Sequence, residues 1–270
     1  MNRDLDSLVI DAGKGDRDAL DALVRAIQDP VHHLAMRILV DPEEAREATQ
    51  EILILVVTRL STFEGRSAFK TWVYRVAVNY LLDSKRVRDR DPGLTFELFE
   101  DDLHSGLVAE PEPSGEDRVL LNELRISCTM AMLLCLDLKH RVAFVLGDIL
   151  EFDHAEAAAV LLISKANFRQ RLSRARADVV AFTARSCGLA TAEARCRCPR
   201  RLPAAIAQGR VRPERPVYAR PGAPGYDEVR MQAAALEGAL RTLALQRGTP
   251  RFGAPEDLAA KLTEIVSLGP

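Results

Sequence analysis

Three groups of side chains in this chain have types and spacings suited to chemistry. The first is Trp72, Arg75, Asn79 and Arg86, which share one side of an amphipathic helical run, with Phe63 in a short polar loop around Gly65 just before it. Trp72 is the sole Trp, and the run holds two of the four Tyr. Aromatic rings stack on unpaired bases and cations hold phosphates, so this mixture suits single-stranded DNA. Asn79 offers a base edge both a donor and an acceptor. The opposite stripe, Val73, Val76, Ala77, Tyr80 and Leu81, faces inward. Phe63 and Trp72 also fit a hydrophobic core, and spacing alone leaves both readings open.

The second group is Arg169, Gln170, Ser173 and Arg174, opposite an apolar face of Phe168, Leu172, Ala175 and Val179. Arg and Gln there have the reach for base edges in a major groove, and the flanking Arg171 and Arg176 suit phosphates. A turn at 162–164, with Ser164 capping the next helix, makes the pair of helices a helix-turn-helix. A solvated basic helix on a structural bundle is the competing reading.

The third group is Cys187, Cys196 and Cys198, spaced C-x8-C-x-C. Thiolates suit zinc, although a tetrahedral site wants a fourth ligand and none is evident nearby. A redox pair is the alternative, because surrounding arginines would lower the thiol pKa. Reduced cysteines in a small packed turn are the third possibility. Cys128 and Cys135 lie on an apolar helical stretch and read as core. The five Cys are an odd number, which argues against a simple disulfide framework. There is no general-base constellation among the scattered His, no Gly-rich phosphate loop and no HExxH, so an enzyme is not expected.

These groups need elements to position them. The 270 residues suggest two domains, and 47% hydrophobic with only 5% aromatic residues favours helices with Leu, Val, Ile and Ala cores. The net charge of −2 hides segregation: 91–117 contains acids and no Lys or Arg, whereas 165–176 carries five cations and no acid. Apolar spacing predicts helices over 4–13, 17–27 and from Pro30 onward, then one over 41–60 with Asp41 as N-cap and Pro42 at the first position. The acidic stretch, bracketed by Pro-Gly and Pro-rich turns, reads as a flexible linker. Helices at 141–150, 154–161 and 165–182 follow. The Pro- and Arg-rich segment 196–224 reads as poorly packing, and two further helices, near 227–246 and 255–266, come after it. No apolar run approaches the roughly 20 residues that span a bilayer. The N-terminal stretch has acids where a signal peptide would be apolar, so a cytoplasmic protein with no membrane partner is expected.

Taken together, AGKGDRDALDALV, DPEEAREATQEIL and FEGRSAFKTWVYRVAVNYLLD, followed at linker distance by LDLKHRVAFVLGDILEFDHAEAAAVLLISKANFRQRLSRAR, resemble regions 2 and 4 of an extracytoplasmic-function (ECF) RNA polymerase sigma factor. Gly147, Ala157, Leu162 and Ala166 stand where the family more often has Arg, Ile, Gly and Gly. The resemblance implies an all-α chain: a region 2 bundle at 1–88, an acidic linker at 89–115, a region 4 helix-turn-helix at 116–184, and a small helical extension at 185–270. It implies a transcription initiation factor whose partners are core RNA polymerase, promoter DNA and an anti-sigma factor. Glu44, Glu47, Gln50 and Glu51 would face the β′ clamp helices, with the β flap as a further contact. Phe63, Trp72, Arg75, Asn79 and Arg86 would meet the −10 element, with the Phe63 loop holding a flipped base. Arg169, Gln170, Arg171, Ser173, Arg174 and Arg176 would meet the −35 element. The linker would pass near the RNA exit path, where acids at 97–117 mimic nucleic acid. The extension, which zinc at the cysteines would suit, is expected to regulate the sigma domains in cis. A helix-turn-helix regulator acting without polymerase would not need the helices at 41–86, and an interaction scaffold would not need the basic recognition face.

Overall fold

The computed structural model describes residues 5–84, 87, 89, 91–109, 117–219, 224–255 and 257–260. Among these, the regular elements are helical, and one isolated parallel bridge joins Cys187 and Cys196. No described helix is long and apolar enough to cross a membrane. The chain forms two compact units, one from Met1–Asp91, Phe152–Arg169 and Phe252–Pro270, the other from Pro92–Glu151 and Gln170–Arg251.

The first unit is built on α1 (Leu5–Gly13), α2 (Arg17–Leu39), α3 (Pro42–Thr58) and α4 (Phe69–Asp83). Asp16 caps α2 by accepting the Asp18 and Ala19 N–H groups, and Asp41 caps α3 through the Glu44 N–H. The sequence predicts a break before Pro30, yet α2 runs straight through it. An interior proline costs about 3 kcal/mol through a lost hydrogen bond and a ring clash. Buried Leu23, Val24 and Ile27 before it, and Val31, Leu34 and Ala35 after it, keep one apolar face in register, and their packing offsets that cost. His32 and Thr49 pin α2 to α3 through a buried side-chain hydrogen bond at 3.1 Å. The helix expected to reach residue 60 ends at Thr58, and a 3₁₀ turn, Leu60–Thr62, leads into the Phe63 loop.

The second unit gathers α5 (Phe96–His104), α6 (Asp117–Leu134), α7 (Leu138–Phe144) and the π turn Val145–Ile149. After α8 (His154–Leu161), which belongs to the first unit, α9 (Lys165–Ser186) enters the second. That unit is completed by α10 (Cys198–Ala207), α11 (Tyr226–Ala234) and α12 (Gly238–Arg247).

Two expectations fail in this second unit. The acidic stretch is not simply a flexible linker: Thr95 caps α5, whose Phe99 and Leu103 are buried against Met132, Phe182 and Cys196. A helix this short is stable only when docked, and burying such side chains contributes roughly 2 kcal/mol each. Its acids are committed too. Glu100 takes Arg185, and Asp102 takes both Arg201 and Arg210, so these two acids are neutralised within the chain rather than left free to mimic nucleic acid. The Pro- and Arg-rich segment is not poorly packed either. It contains α10, with Pro199 in its first turn, and buries Leu202 and Ala205 against Leu121 and Leu124 of α6. Arg201, 1% exposed, donates to Asp102, Gln208 and the Ser105 carbonyl.

Residues following α12 return to the first unit. The Phe252 N–H donates to His33 Nδ1 at 3.0 Å, and the Phe252 ring lies beside His33 and within 5.8 Å of the Arg37 guanidinium. The Ala254 N–H donates to Asp29 at 2.9 Å, and Asp257 pairs with Arg25. Arg25, Asp29, His33 and Arg37 recur every four residues, so one stripe of α2 grips this segment.

Candidate nucleic-acid interface

The loop before α4 turns at Gly65, whose φ of +70° is the left-handed conformation that glycine adopts without a Cβ penalty. It brings Phe63 edge-on to Phe69 at 5.2 Å and tilted against Trp72 at 5.6 Å, while Phe69 and Trp72 stack at 5.6 Å. Phe69 is the buried anchor at 2% exposure, and Phe63 and Trp72 are half-buried. The three rings thus pack on one another, with Phe63 and Trp72 each keeping part of their surface exposed. Asn79 is exposed, and Arg75 is half-buried. Arg86 lies outside the described residues.

Helix α8 packs on α4 within the first unit. Tyr74 of α4 meets Phe152 edge-on at 4.8 Å, Lys70 lies 4.6 Å over the same ring, and Arg75 Nε donates to the Ala159 carbonyl at 3.2 Å. The helix bearing Trp72 and Asn79 thus touches the first helix of the helix-turn-helix.

The helix-turn-helix begins with Asp153, which accepts the Ala155 N–H at 2.7 Å; that bond holds its carboxyl below the usual range. Leu162 takes the left-handed position at φ 53°, where the family more often has Gly, and the Ile163 N–H closes onto the Ala158 carbonyl at 3.1 Å. Ser164 caps α9 through the Asn167 N–H at 3.1 Å. Phe168, Leu172, Ala175 and Val179 are buried. Arg169, Gln170, Ser173 and Arg174 are exposed together, and Arg171 is half-buried.

Arg176 is engaged within the chain. It makes a two-point ion pair with Asp148, at 2.8 Å through Nε, and Asp148 is 2% exposed. A buried carboxylate needs such a partner, so this guanidinium is engaged before any phosphate arrives. Sequence reasoning missed Asp148; its place in the apolar run VLGDIL is the signal that a cation would be recruited.

On α3, Glu44, Glu47 and Gln50 are half-buried and Glu51 is exposed. The four remain on one helix, spaced for a single contact surface.

Cys187, Cys196 and Cys198 come together with a fourth thiol. All three line one small cavity of about 30 Å³, and Cys128 of α6, set aside as core in the sequence, lines it as well. All are free thiols, and among the described residues no group of three or more His, Cys, Asp and Glu is arranged to hold a metal ion in this state. Burial pushes the Cys196 thiol up to about 12 and raises Cys128, Cys187 and Cys198 as well. Desolvation acts against the lowering expected from nearby arginines.

Residues 23–91 match the Sigma-70 region 2 family model, and residues 126–179 match the Sigma-70, region 4 model. The chain is 30% identical over 166 residues to the ECF RNA polymerase sigma factor SigW of Bacillus subtilis, an alignment covering 60% of this chain and 88% of the relative. It is 29% identical over 164 residues to the RNA polymerase sigma-H factor of Pseudomonas aeruginosa, covering 60% of this chain and 85% of that one. The ECF RNA polymerase sigma-E factor of Escherichia coli K12 is 30% identical over 167 residues, with 60% and 85% covered. Among solved structures, CnrH in complex with the cytosolic domain of CnrY aligns with a TM-score of 0.48 at 23% identity, covering 66% of this chain and 96% of that chain.

Proposed function

The chain belongs to the ECF RNA polymerase sigma factors, which direct polymerase to promoters, and we propose that it does so through the surfaces just described. The observation that carries this reading is the pairing, in one chain and in family order, of two matched modules, with Asn79 exposed on α4 and Arg169, Gln170, Ser173 and Arg174 exposed on α9. The helix-turn-helix module alone would not distinguish a sigma factor from a DNA-binding regulator; the region 2 module beside it does.

In this reading α9 enters the major groove of the −35 element, where Arg169 and Arg174 address base edges or phosphates and Gln170 addresses a base edge. Region 2 captures the −10 strand once it is unpaired. Phe63 and Trp72 supply ring surface, Arg75 a cation, and Asn79 a two-way hydrogen-bonding group. Stacking on an aromatic ring contributes about 1–3 kcal/mol per base, which offsets the few kcal/mol of unstacking. Glu44, Glu47, Gln50 and Glu51 face the polymerase clamp, and an anti-sigma protein is a further partner of the two modules. The protein performs no covalent chemistry; binding energy for separated strands lowers the cost of opening the duplex. The extension acts on the sigma modules in cis, a reading supported by the grip of α2 on Phe252 and Ala254.

The test is reconstitution of the full chain with core polymerase on a promoter library. Start-site-specific transcripts that disappear with Asn79→Ala and with a combined Arg169→Ala, Arg174→Ala variant are expected. A chain that binds duplex DNA but not core polymerase would instead be a regulator acting alone.

A further inference from the structure

The cavity lined by four thiols shares no residue with the promoter-facing surfaces described above. We propose that Cys128, Cys187, Cys196 and Cys198 are the ligands of a single zinc ion, with Arg125 as the buried cation that balances its charge.

The backbone already assembles three of the four. Cys187 directly follows α9, and its bridge to Cys196 sets the two residues side by side, with the Gly188 N–H donating to the Cys196 carbonyl at 2.9 Å. A side chain at Gly188 would sit 2.7 Å from Arg197 Cγ and 2.8 Å from that carbonyl, so this tight approach needs glycine. Cys198 opens α10 two residues later. Cys128 arrives from the middle of α6, so the set joins the extension to a helix within the region 4 match. The space of about 30 Å³ suits one small body, and Leu103, Met132, Leu189 and Leu245 form the apolar part of its remaining wall. Four cysteines around one small space are the donor set of a structural zinc centre.

Arg125 is the independent observation. It is 2% exposed and lines the same cavity one turn before Cys128. Its described hydrogen bonds go to neutral acceptors: Nε and Nη2 to Asn122 Oδ1 at 3.0 and 2.8 Å, and Nη2 to the Gly248 carbonyl at 2.8 Å. Its Nη1 has no partner. A buried guanidinium with a spare N–H and only neutral acceptors is costly unless a negative charge accompanies it. When Zn²⁺ enters, the four S–H groups release four protons to solvent, and a tetrathiolate centre of net charge −2 results. Arg125 offsets part of that charge, and its free N–H suits a thiolate sulfur, as outer-shell donors do at metal centres. In the metal-free arrangement the thiols line the wall without converging, so binding requires their side chains to turn inward.

The test uses the full chain produced with zinc in the medium and purified without chelators. Elemental analysis should find one zinc per chain, and cobalt substitution should give the intense sulfur-to-metal absorption of a tetrahedral thiolate site. Native alkylation read by mass spectrometry should spare Cys128, Cys187, Cys196 and Cys198 until a chelator is added; this needs no variant that might misfold. Cys128→Ser should weaken zinc binding at least tenfold, whereas Cys135→Ser, which alters a thiol outside the cavity, should leave it unchanged. A folded wild-type chain with less than a tenth of an equivalent of zinc would overturn the proposal. So would copper bound in place of zinc, full zinc retention by Cys128→Ser, or identical alkylation with and without chelator.

Discussion

Arg75 Nε donates to the carbonyl oxygen of Ala159 across 3.2 Å, tying the helix that carries Trp72 and Asn79 to the end of the first helix of the helix-turn-helix. The bond serves a carbonyl near a helix C-terminus, where intrahelical donors run out. The bond uses one of the five N–H donors of the guanidinium and fixes where the remaining donors can meet a DNA strand. Arg75→Ala should slow promoter opening about tenfold, the scale of one charge-assisted hydrogen bond, while accelerating hydrogen exchange at the end of α8. Stopped-flow fluorescence on a labelled promoter reads the first effect and exchange mass spectrometry the second.

Asn79→Ala should cost about 1–3 kcal/mol in discrimination between a matched and a mismatched −10 base, because a two-way hydrogen bond to a base edge is lost. Core polymerase binding should be unchanged. Competition between fork-junction templates that differ at single −10 bases measures it.

Arg176 and Arg174 should part company. Arg176→Ala leaves the Asp148 carboxylate buried without its ion-pair partner and should lower stability by about 2–3 kcal/mol, read as a fall in the denaturant midpoint. Arg174→Ala, on the exposed face, should move stability by no more than about 0.5 kcal/mol. It should also reduce the salt slope of −35 duplex binding by about one if the residue meets a phosphate.

The Glu100–Arg185 pair gives the docking of α5 a pH dependence. The Arg185 hydrogen bonds hold the Glu100 carboxyl below the usual range, with Ser186 adding a second donor. A depressed carboxylate contributes stability above its unfolded pKa, about 4.3, and loses it as pH falls through the lower folded value. Exchange at α5 amides, corrected for intrinsic rates, should therefore rise relative to α6 below about pH 4. Glu100→Gln should flatten that dependence.

Phe252→Ala should release the segment that α2 grips. The ring is 2% exposed, and removing a buried Phe costs about 3 kcal/mol. Limited proteolysis near 252–258 should quicken several-fold, while the thermal transition of the second unit stays in place.

The sequence alone determined what depends on neighbours along the chain. The Asp16, Asp41 and Ser164 caps, the inward stripe of α4 and the exposed Arg169–Arg174 face follow from periods and capping chemistry acting over a few residues. The two sigma modules were legible because their motifs are local and ordered. Only the tertiary structure decided what depends on partners far apart in sequence. It folded the acidic stretch into α5, because Arg185, Arg201 and Arg210 reach back to Glu100 and Asp102, and no local pattern encodes those pairings. It carried α2 through Pro30, because packing on both sides outweighs a local penalty. It engaged Arg176 with a buried carboxylate, and it brought Cys128 to Cys187, Cys196 and Cys198. Charge neutralisation and burial are summed over the folded volume, whereas spacing is read along a line; the roles that differ between the two readings are those set by charge and burial.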